Sequence, residues 1–500
     1  MSLFSWRPRV VTFLGALYLG LTLPATAFAH GKLKGSSPAD GAHLAAVPST
    51  LRLDFSEAPE LTFSSIRLIA GDGREVPLGA MTYAPDSHRS LVAPLAAALV
   101  AGTYTIVWQM AGDDGHPVRG RIQFVIAPGA AGIGVTPSNV APVGGTAPGD
   151  TAGMAMHHDP VSMPTGAGFD AESPVYVLVR WLQFIGLLLA IGAVAFHTFV
   201  LAFIRRDERS EAQAVEAPLL AEVEGRAASI GHGAAMALAV MLLVRLAAQS
   251  YAMHGPGTAD SALVGSMITG TMWGWGWLLQ LAGVVLVGVG FHNARHTTSF
   301  AVNGRPGSAG GNQTHLWWRL AGVGVLLLAF SPGLSSHASA APRMRWLAML
   351  ADGIHVLAAS SWLGTLAVVL LAGLAVSAAH SAEVRAPFVR DLINAFSPLA
   401  LVSSGIAAGT GTFAAWLHVG TVPNLWSTRY GITLLVKLGI LGVVALTGFY
   451  NWRFVKPRLG TDDATLHLRR SARVEITVAV IVLLVTAVLV ATPTSMDMAM

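Results

Sequence analysis

Two hydrophobic rhythms divide the chain. From His30 to about Ile126, apolar residues alternate with polar or mixed ones in short runs. Leu51-Arg52-Leu53-Asp54-Phe55, Ser65-Ile66-Arg67-Leu68-Ile69, Tyr104-Thr105-Ile106-Val107-Trp108 and Arg121-Ile122-Gln123-Phe124-Val125-Ile126 are the clearest. A period of two puts one set of side chains on a buried face. Turn chemistry separates the runs, notably Gly71-Asp72-Gly73 and Gly112-Asp113-Asp114-Gly115. Several short strands spaced by turns predict an all-β sandwich over 30–127, long enough to bury a core without covalent staples.

After Pro174 the rhythm gives way to long apolar stretches over approximately 175–204, 227–253, 263–291, 317–335, 346–376, 391–417, 430–452 and 474–492. Their lengths suit a hydrocarbon layer about 30 Å thick, so 174–492 predicts an all-α transmembrane bundle of about eight helices. Residues 493–500 form a tail. Between the two regions, 128–173 is rich in Gly, Ala, Pro and Thr without periodicity and reads as a flexible linker. At the start, Arg7 and Arg9 precede an apolar run from Val10 to Leu23, and Ala27-Phe28-Ala29 follows. This run is shorter than the ~20 residues a span needs, and Pro24 interrupts it, so 1–29 reads as a cleaved secretory signal. Cleavage after Ala29 would leave His30 first, with an α-amine and an imidazole on one residue.

Composition narrows the chemistry. Of the 500 residues 53% are hydrophobic and 12% charged, about half the charge usual in soluble domains. An ordinary cytosolic enzyme is excluded. A net charge of +4 is too small a bias to suggest nucleic acid. The absence of cysteine removes disulfides, iron–sulfur clusters, zinc-thiolate sites and blue-copper centres. Any metal must be held by His, Met, carboxylate or backbone groups. Orientation follows from the loops. Those assigned to the cytoplasm carry Arg205, Arg206, Arg209, Arg226, Arg295, Arg305, Arg319, Arg385, Arg390, Arg453, Lys456, Arg458, Arg469, Arg470 and Arg473, and the outer ones only Arg343, Arg345 and Arg429. The positive-inside rule then puts both termini outside, in the periplasm of a multi-pass bacterial inner-membrane protein.

In the exported region, His30, Glu57, Asp114 and His116 stand out. An N-terminal His chelates through its amine and Nδ1. A second imidazole and a carboxylate complete a tetragonal N,O site of the kind that suits Cu(II). Asp114-x-His116 sits at a turn before a strand, where residues two apart project to one side. Glu57 is a weaker ligand or an outer acceptor. The stretch His30-Gly31-x3-Gly35-Ser36-Ser37-Pro38-Ala39-Asp40-Gly41 resembles the start of the CopC family of periplasmic copper-binding proteins. Leu53-x-Phe55-Ser56-Glu57 and Asp113-Asp114-Gly115-His116-Pro117 resemble it too. The resemblance implies a cupredoxin-like sandwich that binds Cu(II) through His30, Asp114 and His116, with Glu57 nearby. The methionine-rich Cu(I) site of some members is not carried over, because 30–127 has only Met81 and Met110. In the linker, Met154, Met156, His157, His158 and Met163 are either part of a low-complexity tether or a soft metal relay.

Ionisable groups inside spans mark function by default. Met253 with His254, His337 and His418 lie near the outer ends of spans two, four and six. Asp352 and His355 share a face of span five, with His355 roughly 15 Å below its start, near the bilayer middle. His197 and His232 lie toward the cytoplasmic side of spans one and two. By depth these imidazoles form a descending series; a hydrogen-bonded packing role is the alternative for any one of them, favoured at interface positions such as His418 and not at mid-span His355. Arg245 and Lys437 read as paired or snorkelling, and Trp273-x-Trp275-x-Trp277 and Trp317-Trp318 as interfacial anchors. Ser336-His337-Ala338, Asp352-Gly353-x-His355-Val356-x-Ala358-x3-Trp362-Leu363-Gly364 and Tyr430-Gly431-x3-Leu435-x-Lys437 resemble the CopD family of copper-resistance membrane proteins, most clearly over about 330–460.

The combined resemblance implies a copper-binding membrane protein that captures Cu(II) outside and moves copper toward the cytoplasm, in copper homeostasis. Cu(I) is the species suited to His/Met sites within the membrane. Lipid and copper are then its partners, with a periplasmic copper chaperone or reductase outside the chain. No G-x4-G-K-[ST] loop occurs, so no ATPase domain in this chain powers the movement. Two other readings stand beside this non-enzymatic one. Histidine pairs ligating haem, or copper itself, would make a membrane electron-transfer protein. A histidine-brace copper oxygenase is the weaker one, because Asp114 and Glu57 would fill positions that oxygen activation needs open.

Overall fold

The computed structural model describes residues 33–56, 58–96, 99–111, 117–131, 173–207, 213–254, 261–302, 310–335, 345–458 and 462–492. The expected signal segment, most of the linker and the tail fall outside these residues.

Among the described residues, nine strands build the first domain: β1 Leu33–Ser37, β2 Ala42–Ala46, β3 Thr50–Phe55, β4 Ser65–Ala70, β5 Glu75–Val76, β6 Thr82–Ala84, β7 Ser87–Pro94, β8 Gly102–Ala111 and β9 Pro117–Ala131. They form a four-stranded sheet in the order β1-β3-β7-β6 and a five-stranded sheet in the order β2-β9-β8-β4-β5. All pairings are antiparallel except β2 with β9. The alternation expected of β3 is realised. Leu51, Leu53 and Phe55 point into the core with Leu68, Ile106, Ile122, Phe124 and Ile126, each such side chain worth about 1.5–3 kcal/mol of burial. The intervening Arg52 faces out and bridges Asp54 at 2.8 Å and Asp86 at 2.9 Å. Its hydrogen bond holds the Asp86 carboxyl below the usual carboxylate range.

The Ser37-Pro38-Ala39-Asp40-Gly41 stretch has a structural task. It carries the chain from β1 in one sheet to β2 in the other. Asp40 Oδ1 accepts the Gln123 amide at 2.9 Å, and the Gly41 amide donates to the Gln123 carbonyl at 2.7 Å. Gly41 has φ of 74°, in the left-handed region that favours glycine.

Among the described residues, eight helices are long and apolar enough to cross a membrane: Pro174–Arg205, Ala217–Tyr251, Met272–Thr297, Gln313–Leu334, Trp346–Ser377, Ala382–Val419, Arg429–Val455 and Arg470–Ala491, here spans one to eight. The expected start of span three near 263 is corrected. Ser261–Gly270 is a separate short helix, and span three begins at Met272. Thr271 makes the break: its hydroxyl donates to the Met267 carbonyl and accepts the Gly274 amide at 2.9 Å, closing one helix and capping the next. Spans one to six share the main membrane core around Phe196, Phe291 and Phe388.

The reading of the tryptophans as interfacial anchors is also corrected. Trp273 and Trp277, one turn apart, are buried with Leu242, Met267 and Phe63 of the sandwich, and only Trp275 of that run is exposed. Trp318 is buried on the face of His197. The i,i+4 spacing puts Trp273 and Trp277 on one face of span three.

Candidate metal sites in the two domains

Strand pairing shows how the first domain frames its candidate ligands. Leu33 at the start of β1 lies opposite Phe55 at the end of β3. Phe55 meets Trp108 of β8 edge-on at 5.3 Å, and β8 ends three residues later, where Ala111 pairs with Pro117 of β9. The ends of β1, β3, β8 and β9 that flank the candidate ligands in sequence are therefore drawn toward one another. His30, Glu57, Asp114 and His116 themselves lie outside the described residues. The same holds for His337, for the linker residues Met154, Met156, His157, His158 and Met163, and for the side chains of Met253 and His254.

Within the membrane, His355 has the clearest geometry. Its Nδ1 lies 3.1 Å from the Ala407 carbonyl and 3.0 Å from the Thr410 hydroxyl, both on span six. A carbonyl only accepts, so Nδ1 carries the proton and donates; the neutral ring then keeps its lone pair on Nε2. A ring nitrogen held by a backbone carbonyl is the usual outer support of a metal-ligating imidazole. Gly411 permits the approach, since a Cβ there would sit 3.2 Å from His355 Cε1. Lys437 of span seven acts electrostatically on both Asp352 and His355. Residues from two of the CopD-like motifs are thus coupled electrostatically across spans five and seven. Arg245 is paired with Gln280 Oε1 at 2.9 Å.

His197 occupies a different setting. It lies in a π-helical turn, Phe196–Leu201, and is buried. Its Nδ1 approaches Glu224 Oε1 at 3.0 Å, while Arg205 binds the other carboxylate oxygen at 2.5 Å. The ring stacks flat on Trp318, centroids 4.1 Å apart, and His315 stands 6.1 Å away. Arg205 compensates the buried charge of Glu224, as such a group requires. His232, half-buried on span two, stands beside His292 of span three rather than beside His197. The described candidates His197, His232 and His355 thus have different partners, and among the described residues no group of three or more His, Asp or Glu could hold a metal ion. Glu224, His315, Thr410 and Trp318 were not foreseen as site residues. Each meets its histidine from another span, and no spacing along one helix encodes that.

Comparison with known proteins agrees with this division. Residues 33–127 match the CopC domain, 170–346 the N-terminal domain of copper resistance protein D-like proteins, and 390–489 copper resistance protein D. The CopD-type match thus reaches further toward the N-terminus than the motifs near 330–460, and the segment bearing His355 lies between the two matched regions. The chain is 24% identical over 477 residues to the copper transport protein CutJ of Bacillus subtilis, covering 94% of this chain and 75% of that one. It is 36% identical over 107 residues to copper resistance protein C of Xanthomonas campestris pv. juglandis, covering 20% of this chain and 84% of that one. The solved structure of CopC from Methylosinus trichosporium OB3b is 29% identical, covers 20% of this chain and 95% of its own, and has a TM-score of 0.19. With the sandwich and the apolar helices both in place, the chain belongs to the copper resistance and transport family, carrying a CopC domain and the two CopD-type domains in one polypeptide.

Proposed function

We propose that this protein takes up copper: the sandwich captures Cu(II) outside the cytoplasm, and the helical bundle passes copper inward. The observation that supports inward passage best is His355, a mid-span imidazole whose Nδ1–H is committed to the Ala407 carbonyl, with Nε2 left as the ligating nitrogen. In this reading the signal is removed after Ala29, both termini lie in the periplasm, and the linker keeps the sandwich near the outer mouth. Tethering of that kind holds an effective concentration of ~mM. His337, Met253 and His254 serve the entry side, His355 the centre, and His197 and His232 the inner half.

Sealed vesicles carrying the purified protein, with metal analysis of the same sample, test the whole reading. Copper accumulation above protein-free vesicles is expected; a preparation that holds no copper and moves none would overturn it.

The capture site has its own test. The processed protein, given one equivalent of Cu(II), should show a tetragonal nitrogen/oxygen EPR signal from His30, Asp114 and His116, with Glu57 beside them. His116→Ala should change the nitrogen coupling, and an unaltered spectrum would remove His116 from the ligand set. Replacing Met154, Met156, His157, His158 and Met163 together by Ser should slow transfer from sandwich to bundle. Unchanged transfer kinetics would leave the linker as a tether alone.

A further inference from the structure

Phe63 is buried, only 5% exposed, yet it is not part of the sandwich core. Leu61, two residues before it, packs against that core. Phe63 instead shares a buried cluster with Leu242 of span two, Met267 of the short helix, and Trp273 and Trp277 of span three. Among the described residues, no other sandwich side chain joins a buried cluster of the bundle. The cluster lies toward the end of span two and the start of span three. That is the side the arginine distribution assigns to the outside, where an exported domain must be.

Each side of the contact is held in shape without the other. Phe63 ends a short 3-10 turn, Leu61–Phe63. Gln109 Nε2 donates to the Phe63 carbonyl at 3.2 Å, Ser64 Oγ to the Glu60 carbonyl at 2.8 Å, and the Tyr83 hydroxyl to the Pro59 carbonyl at 2.8 Å. The turn follows the end of β3 and is tied to Gln109, two residues before the end of β8. These are strand ends that flank the candidate copper ligands. On the bundle side, Trp277 Nε1 donates to the Leu242 carbonyl at 3.1 Å and joins spans three and two. The Arg245 guanidinium lies 5.8 Å from the Trp273 ring centroid. None of these bonds needs the phenylalanine ring, so the socket stands when the ring leaves it.

Size decides how firmly the contact holds. One phenylalanine buries about 150–250 Å², against roughly 1,200–2,000 Å² in a free-standing protein interface. A contact that small persists only while a covalent linker keeps the effective concentration high.

We infer that Phe63 is a reversible docking knob, which seats the sandwich of this same chain on the outer ends of spans two and three. Docking holds the ligand-bearing end of the sandwich at the bundle. That copper is handed over from this position rests on the uptake reading.

The chain has no cysteine, so Val100→Cys and Val422→Cys, at positions 68% and 66% exposed, supply two unique spin-label sites. One is on the sandwich and the other between spans six and seven. In the full-length protein in lipid nanodiscs, double electron–electron resonance should give a narrow distance peak above a broad minor component. Phe63→Ser should lower the docked-to-undocked ratio roughly 10- to 100-fold, and Phe63→Leu should keep most of the narrow peak. Met267→Ser tests the same contact from the bundle side and should also broaden the distribution. Cutting the linker at an inserted protease site should release the sandwich on size exclusion. A broad distribution in the parent protein, or a narrow one that survives both serine substitutions, overturns the dock. A sandwich that stays bound after the cut overturns its reversibility. Vesicle uptake is read separately. Parental uptake in the undocked variants removes docking from the handover, whereas a narrow peak in a protein that moves no copper upholds the dock and sinks the uptake reading.

Discussion

Gly364→Ala should fail to give a stable bundle. A Cβ at Gly364 would stand 2.0 Å from the Leu188 carbonyl oxygen and 3.0 Å from Gly192 Cα, and one at Gly192 would stand 2.2 Å from the Gly364 carbonyl carbon. Spans one and five therefore cross backbone against backbone. No flexible side chain is available to yield, so the helices must separate. Overpacking a well-filled core typically costs about 1–3 kcal/mol, and displacing two helix backbones places this case at or above that range. The crossing lies in the π-helical turn Ser360–Gly364, which ends the Trp362-Leu363-Gly364 part of a CopD-like motif. That glycine is thus explained by packing alone. Gly439→Ala is the matching control, because a Cβ there meets nothing within 4 Å; replacing a helical glycine at such a place should stabilise by roughly 0.5–1 kcal/mol. Thermal unfolding and size-exclusion profiles in detergent compare the two. Equal melting temperatures would refute the close crossing.

His355→Ala should reduce copper uptake into vesicles to the protein-free background at equal protein abundance. Thr410→Val, which removes only the hydroxyl 3.0 Å from Nδ1, should have the milder effect, lowering uptake about 10-fold and leaving it above that background, as outer-sphere changes at metal sites commonly do. The order of the two effects matters. Loss in Thr410→Val with wild-type uptake in His355→Ala would mean that span six, and not the imidazole, carries the effect. Wild-type uptake in both would remove this position from the copper route.

How much of this was readable along the chain varies with the range of the interaction. The strands β3, β4, β8 and β9 carry clean alternation and are found where the period-two runs lie. β1, β2, β5, β6 and β7 are not visible that way. β5 has two residues, β1 is Lys-Gly-Ser-rich, and β7 buries Ser90 and Leu91 consecutively. Eight spans follow from apolar length alone, but the break at Thr271 depends on two hydrogen bonds of one hydroxyl. His292 and His296 have an i,i+4 spacing in plain sight; that His232, sixty residues earlier in the chain, lies beside His292 does not follow from it.

By itself the sequence determined the two-domain plan, the absence of thiol chemistry and the supply of imidazoles, because these depend on composition and short-range periodicity. Only the tertiary structure decided which nitrogen of His355 is engaged, that His197 is tied to Glu224 and stacked on Trp318, that Trp273 and Trp277 are core, and that Gly364 sits against Leu188 and Gly192. The physical reason is the same in each case. A helix determines which of its own residues share a face, but the partner of that face is chosen by packing between spans far apart in the chain.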